Sequence, residues 1–246
     1  NWYLPYQPKI LYTEWHSFYG LLFDTKPEKT MLSDRLEPVI IFFMYLLLIF
    51  GALWNITGLF PILMSYTTSP LMMILGLGVL FSVNKFLFPK LALWFVFTAA
   101  ITIGLEWLGV ETGKVFGQYD YTNFLYPQVM GVPIVIGISW AGVCLGAIGL
   151  IQRSRKVYLH STTTKMLMTG FLMMVFDLLL EPVAVKLGYW HWYDAAPPLQ
   201  NYLAWWIIGS LFSLPVFMIL KHVKFSKLAF HSFLAQVIYF VLIILF

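Results

Sequence analysis

Long apolar runs separated by short polar connections dominate the chain. A helix that crosses the roughly 30 Å hydrocarbon core of a bilayer needs about 18 to 25 mostly apolar residues, because it rises about 1.5 Å per residue. The alternating segments of about ten residues that a membrane β-barrel requires do not occur. The pattern therefore predicts an all-α, polytopic membrane protein. Its seven predicted spans are Val39 to Leu59, Leu71 to Phe88, Leu91 to Leu108, Ile134 to Ile151, Met166 to Leu187, Tyr202 to Leu220 and Leu228 to Phe246.

Prolines mark the ends of several predicted spans. Pro38, Pro70 and Pro133 stand where the first turn of a helix tolerates a proline, because an amide hydrogen there would have no partner within the helix. Pro61 and Pro89 are expected to follow helix ends. The positions of the prolines therefore support the predicted boundaries.

The residues before the first span form a segment of different character. Apolar side chains recur at helical spacing around Glu14 and His16, which predicts an amphipathic helix at the membrane interface. We therefore divide the chain into an N-terminal cytoplasmic or interfacial segment, 1–37, and a seven-helix domain, 38–246. Because the chain starts at Asn1, we expect a processed or trimmed start. The apolar positions of the amphipathic helix are Leu11, Trp15, Phe18 and Leu22.

The composition supports a lipid environment and excludes several classes of site. Charged residues make up 11% of the chain, whereas soluble domains hold about 25%. The one cysteine, Cys144, excludes disulfides within the chain, Cys-rich zinc sites and iron–sulfur clusters held by four thiolates. The lysines and arginines form no basic stripe, so we expect no nucleic acid partner.

The basic residues divide unevenly between the two sides of the predicted membrane domain. Thirteen of the 15 lysines and arginines fall before the first span or in connections that return to the same side. The opposite side has only Lys114 and Lys186. By the positive-inside rule, the N-terminus is cytoplasmic and the C-terminus lies outside. We expect this orientation in a bacterial inner membrane.

Six of the 11 acidic residues lie on the side opposite to the basic residues. A carboxylate at the centre of a spanning helix costs about 2.5 to 3.5 kcal/mol on insertion scales, so it must face protein groups or a wet cavity. Asp177, halfway along the fifth span, is therefore the leading candidate for a functional residue. The six acidic residues in the outer half are Glu106, Glu111, Asp120, Asp177, Glu181 and Asp194.

Asp177 and Glu181 stand four residues apart and so share one face of the fifth helix. Two carboxyls this close in a low dielectric resist double ionisation, which leaves one of them protonated and available as an acid. Pro182 frees the carbonyl of Leu178 and favours a kink there. The alternative is a structural hydrogen bond from Asp177 to a neighbouring helix, with Glu181 at the membrane interface.

Two connections on the acidic side repeat one pattern. Each has a glycine followed by aromatic residues at the second and fourth positions, with an ionisable residue between them. The two glycines are 71 residues apart, which indicates a duplicated helix pair with halves at about 91–151 and 166–220. Duplicated halves often meet around a central site, although aromatic belts at a membrane interface would also explain the rings. The repeated residues are Gly117, Tyr119, Asp120 and Tyr121, and Gly188, Trp190, His191 and Trp192.

These two connections resemble the two signatures of the CruF-type carotenoid hydratases over roughly Leu91 to Leu211. Two residues depart from the family pattern: Glu181 stands where many members have Asp, and Gln118 where they have Arg. The first signature is matched by Glu106 to Gly113, Phe116 to Thr122, Gly131 to Pro133 and Trp140. The second is matched by Asp177, Leu180 to Pro182, Gly188 to Trp192, Asn201 to Leu203 and Trp205.

The resemblance implies addition of water across the terminal carbon–carbon double bond of an acyclic carotenoid. Protonation of the less substituted carbon gives a tertiary cation, which water captures as a tertiary alcohol. No metal, electron carrier or other cofactor is required. Asp177 or Glu181 is the candidate proton donor. The candidates that orient and deprotonate water are Glu106, Glu111, Asp120 and His191, and the candidate substrate contacts are Tyr119, Tyr121, Trp107, Trp140, Tyr189, Trp190, Trp192 and Asn201.

The sequence also fits other functions, to different degrees. The non-enzymatic alternative is a carotenoid-binding or accessory subunit, which would need the same aromatic walls. An intramembrane prenyltransferase fits less well, because its diphosphate needs basic partners and the acidic side offers only Lys114 and Lys186. A retinal protein would need a lysine in the last span, where none follows Lys227. The expected partners are a carotenoid, the bilayer and other carotenoid enzymes or a larger membrane complex.

Overall fold

The computed structural model describes residues 33, 35–153, 161–194, 196–220 and 223–246. The predicted amphipathic helix lies outside these residues. Seven helices in the described part are long and apolar enough to span a membrane, which confirms the all-α, polytopic fold. They are α1 (Leu36–Thr57), α2 (Pro61–Leu80), α3 (Phe88–Thr112), α4 (Ile134–Arg153), α5 (Thr162–Lys186), α6 (Leu199–Met218) and α7 (Lys227–Leu245).

The second span begins earlier than the sequence predicts. The prediction, Leu71 to Phe88, was wrong because it placed Pro70 in a first turn, whereas Pro70 lies inside α2. A proline without an amide hydrogen leaves the carbonyl four residues earlier, that of Tyr66, without its helical partner. The hydroxyl of Tyr126 donates a hydrogen bond to this carbonyl at 2.7 Å. A neighbouring side chain thus allows the helix to continue through the proline.

The prolines at 61 and 89 also begin helices instead of following them. Pro61 is the first residue of α2, and Pro89 lies in the first turn of α3. The chain between α2 and α3 contains a short 3₁₀ helix, Lys85–Leu87. Both prolines therefore occupy positions that need no amide hydrogen.

Helix α4 lies at the centre of the bundle and contacts α2, α3, α5 and α7. Small residues allow these helices to approach closely, as is common where lipid provides no hydrophobic drive for helix association. A Cβ placed on Gly142 would lie 2.6 Å from the Cα of Gly76 in α2. The glycines of α4 are therefore required by packing.

The two repeated connections pair with each other at one end of the bundle. Strand β1 (Tyr119–Tyr121) is antiparallel to β4 (Trp190–Trp192), while β2 (Gln128–Val129) and β3 (Val132–Pro133) form a separate hairpin. In the β1–β4 ribbon, Tyr119 pairs with Trp192, Asp120 with His191 and Tyr121 with Trp190. Tyr119 thus pairs with the counterpart of Tyr121 in the second repeat, and Tyr121 pairs with the counterpart of Tyr119. This is the pairing that a local twofold axis through the Asp120–His191 pair requires.

The opposite end of the bundle gathers basic residues. The amide of Ser226 donates to the carbonyl of Ser82 at 2.8 Å, which joins the connections before α3 and before α7. The amide of Leu228 donates to Glu37 at 2.9 Å, which brings the start of α1 to the same end. Which side this end faces in the cell stays a prediction. The described basic residues at this end are Arg35, Lys85, Lys90, Arg153, Lys165, Lys224 and Lys227.

Candidate active site

A cavity of about 270 Å³ lies between the helices beneath the β1–β4 ribbon. Its walls are mostly apolar and aromatic, and two carboxyl groups, those of Glu106 in α3 and Glu181 in α5, face it. Both side chains are buried, with 4% and 3% of their surface exposed. The cavity is therefore an apolar space with two acidic groups at one end.

Glu106 accepts hydrogen bonds from three aromatic side chains. Its Oε2 accepts from the hydroxyl of Tyr121 at 2.8 Å and from that of Tyr119. Its Oε1 accepts from Nε1 of Trp140 at 3.1 Å. Tyr119 and Tyr121 reach the same carboxyl because alternate residues of a strand point to one face. The geometry of the repeated connection thus fixes the orientation of Glu106.

Burial, together with the nearby Glu106 carboxyl, holds the pKa of the Tyr119 and Tyr121 hydroxyls well above their usual range. Both hydroxyls therefore remain protonated and able to donate to Glu106 at neutral pH.

Glu181 has a matching set of donors in the second repeat. Its Oε2 accepts from Nε1 of Trp190 at 3.0 Å and from Nε1 of Trp192 at 2.7 Å. Its Oε1 lies 3.4 Å from the amide nitrogen of Asn201, which donates to it. Because indole nitrogens only donate, Glu181 can meet both tryptophans only as an acceptor. Each glutamate is thus held by the two aromatic residues of the strand that follows its own helix.

Asp177 lies behind Glu181, away from the cavity wall. It is fully buried, and its Oδ2 accepts a hydrogen bond of 2.5 Å from the amide of Asn201. Its Oδ1 has no hydrogen-bond partner among the described residues. Asn201 therefore bridges the two carboxyls of α5. Asp177 does not line the cavity, but Asn201, to which it is bonded, does.

Aromatic faces close the cavity near the two glutamates. Trp140 and Trp205 stack with ring centroids 3.7 Å apart. Each is the seventh residue of its helix, α4 and α6, so the stack again relates the two repeats. Tyr119 and Trp192 also face each other, with centroids 4.9 Å apart. Trp205 belongs to the second family signature but is not among the site residues that the sequence predicts.

Besides Asp177, four of the sequence candidates lie outside the cavity lining. Asp120 and His191 are central residues of β1 and β4, so they point away from the face that Tyr119 and Trp192 present. The hydroxyl of Tyr193 donates to Asp120 at 2.5 Å, and Nε2 of His191 is 4.0 Å from the same carboxylate oxygen. The other two candidates, Glu111 and Trp107, are exposed on α3.

The other wall of the cavity includes the candidate Tyr189 together with Thr68 and Tyr239, which the sequence did not single out. Burial raises the pKa of the Tyr189 hydroxyl to about 12, although its hydrogen bonds with Thr68 and Tyr239 act in the opposite direction. The side-chain amide of Asn55 in α1 donates to Tyr239 in α7 at 3.0 Å. Asn55 is a polar residue within an apolar run, and in the sequence this position indicates a polar contact between helices.

Comparisons with known proteins agree with the resemblance of the two signatures. A family profile described as "Carotenoid biosynthesis protein" matches residues 68–246. A bisanhydrobacterioruberin hydratase of Haloarcula japonica is 33% identical over 114 residues, which make up 44% of this chain and 38% of that relative. The match thus spans less than half of the relative's length. No solved structure matches the chain. Since the profile match covers most of the seven-helix domain, the chain belongs to the carotenoid biosynthesis protein family.

Proposed function

We propose that this protein adds water across the terminal carbon–carbon double bond of an acyclic carotenoid end group. The observation that supports this most directly is the pair of buried carboxyls, Glu106 and Glu181, facing one apolar, aromatic cavity. An alkene end group fits the apolar walls, and its hydration needs one proton donor and one proton acceptor. The family and the named hydratase relative support the same reaction class.

Glu181 is the proposed acid because it faces the cavity and has a second carboxyl behind it. Asp177 and Glu181 share the amide of Asn201, and two linked carboxyls in an apolar interior retain one proton between them. Glu181 transfers this proton to the less substituted alkene carbon. The donors from Trp190 and Trp192 stabilise the carboxylate that is left. Asp177 thus acts as a positioning residue through Asn201.

Glu106 is the proposed base. Three donors surround its carboxyl, and no second carboxyl is linked to it by a hydrogen bond within the described part of the chain. This environment suits a carboxylate that orients a water molecule. The tertiary cation is stabilised by ring faces of Trp140, Trp205 and Trp192 while water attacks it. The attacking water loses a proton to Glu106, and that proton returns to the Asp177–Glu181 pair between turnovers. Atoms balance as the addition of one water.

Isotope labelling of the product tests this function. In a host that makes an acyclic carotenoid, the protein should produce a carotenoid heavier by one water. The new oxygen should come from labelled water and not from labelled oxygen gas. Unchanged carotenoid in the presence of folded protein would exclude hydration, and an oxygen that comes from the gas would indicate a hydroxylase.

A further inference from the structure

The cavity continues away from the carboxyls between α1 and α2. The wall there contains Leu47 and Gly51 from α1, and Leu63 and Met64 from α2. Helix α1 packs chiefly against α7 and only lightly against α2. We call the space bordered by these four residues the α1–α2 gap.

Exposure shows that the α1–α2 gap is the open end of the cavity. Leu47 and Leu63 both line the cavity and reach the outer surface of the bundle, with 55% and 45% of their surface exposed. Glu106 and Glu181, at the other end, are almost completely buried. Leu47 lies midway along α1, so this opening faces the hydrocarbon of the membrane. The cavity is therefore closed beneath the ribbon and open sideways to lipid.

We propose that the α1–α2 gap is the binding site for the unreacted chain of the polyene. The substrate enters sideways from the bilayer, its reacting end reaches the carboxyls, and its remaining chain lies between α1 and α2. The identity of the reacting end rests on the proposed function, whereas the path of the chain rests on the shape of the cavity. A stiff conjugated chain extends beyond a cavity of about 270 Å³, and this gap is where the lining reaches the surface.

Gly51 offers a direct test because its position leaves room for a side chain. A Cβ there would lie 3.8 Å from Tyr239 and 4.0 Å from Met64, which is ordinary contact. In G51L the remaining carbons would occupy the gap. The matched control is G104L on α3, where a Cβ meets nothing within 4 Å and the glycine is exposed away from the cavity.

The experiment measures the polyene retained by the purified protein, from its visible absorbance per mole, beside the amount converted. We expect G51L to lose about tenfold in both quantities and G104L to resemble the wild type. A second pair of variants tests the same site in case G51L misfolds. L63W narrows the α1–α2 gap at a residue that is already exposed, and its control, L93W, places the same ring on the exposed surface of α3. L63W should show the same losses, and L93W should show none.

The outcomes separate this proposal from the proposed function. Wild-type retention and conversion in folded G51L and L63W would overturn the binding site and leave hydration standing. Retention of the polyene without water addition by the wild type would exclude hydration. The amount of polyene retained by each variant, relative to its control, would then still show whether the chain lies in the α1–α2 gap. If G51L does not fold, L63W and L93W decide it alone.

Discussion

At the scale of single residues, strand geometry separates the cavity residues from the others in the repeated connections. The sequence shows an ionisable residue between two aromatic residues in each repeat, and this pattern made Asp120 and His191 candidates. Their placement follows from the pairing of two strands that are 71 residues apart, which a local pattern does not reveal. Glu106 and Glu181 were identified as candidates, but their shared cavity depends on long-range packing.

The proposed acid, Glu181, should be required for turnover. E181Q should lower the rate of hydration by about 10² to 10⁴-fold, because the amide has no acidic proton to transfer. Polyene retention should remain near the wild-type level. Product formation by the purified variant measures the effect, and E111Q, at an exposed position outside the cavity, is the control. Near-normal turnover by folded E181Q would remove Glu181 from the acid role.

The donors to Glu181 give a second prediction. W192F keeps an aromatic ring but removes the indole that donates at 2.7 Å. A hydrogen bond to a charged group contributes about 1.5 to 3 kcal/mol, so turnover should fall about tenfold or more while polyene retention changes little. The exposed Trp107 provides the matched control, W107F. An equal loss in both variants would mean that the effect does not come from the hydrogen bond to Glu181.

At the scale of elements, the length and hydropathy of the seven apolar runs were sufficient to count the helices but not to place every boundary. The error in the second span came from Pro70, whose lost backbone partner is replaced by Tyr126 from a distant loop. Sequence rules for proline consider only the local chain, and they cannot include a donor 60 residues away. The β1–β4 ribbon was also not predicted. Its strands have only three residues each, and each strand pairs with a distant part of the chain.

The proline in α2 leads to a prediction about stability. Y126F leaves the carbonyl of Tyr66 without its donor and should reduce the free energy of unfolding by about 1 kcal/mol. In the P70A background, the new amide hydrogen can bond this carbonyl within the helix, so Y126F should then cost much less. Thermal unfolding of the four proteins in detergent measures the difference. Equal costs in both backgrounds would show that this hydroxyl does not substitute for the missing helical bond.

At the scale of the whole molecule, the basic residues and the carboxyl-lined end of the cavity lie at opposite ends of the bundle. Basic residues gather at the starts of α1, α3, α5 and α7, and the carboxyl-lined end of the cavity lies under the ribbon. The charge pattern predicted this separation, because it depends only on counting spans. The contributions of α1, α2 and α7 to the cavity were not predicted, since their apolar faces look alike whether they meet lipid or substrate.

The orientation of the molecule is the prediction at this scale. We expect the basic end to be cytoplasmic, so a C-terminal fusion should place its reporter outside the cytoplasm. Alkaline phosphatase fused after Phe246 should be active, and green fluorescent protein at the same place should be dark. Fusions after Lys224, at the opposite end, should give the reverse result. A reversed pattern at both positions would invert the molecule and place the ribbon in the cytoplasm.

The register of the β1–β4 ribbon bears on the predicted duplication of a helix pair. Two copies of one loop form this register when they meet across the axis of a symmetric dimer. An ancestral helix pair would then have contributed one glutamate, one strand and one tryptophan of the stack from each of two separate chains. Gene fusion would have freed the two halves to diverge, so that one glutamate acquired a carboxyl neighbour and the other did not. The division of labour between acid and base would then be younger than the cavity that contains it.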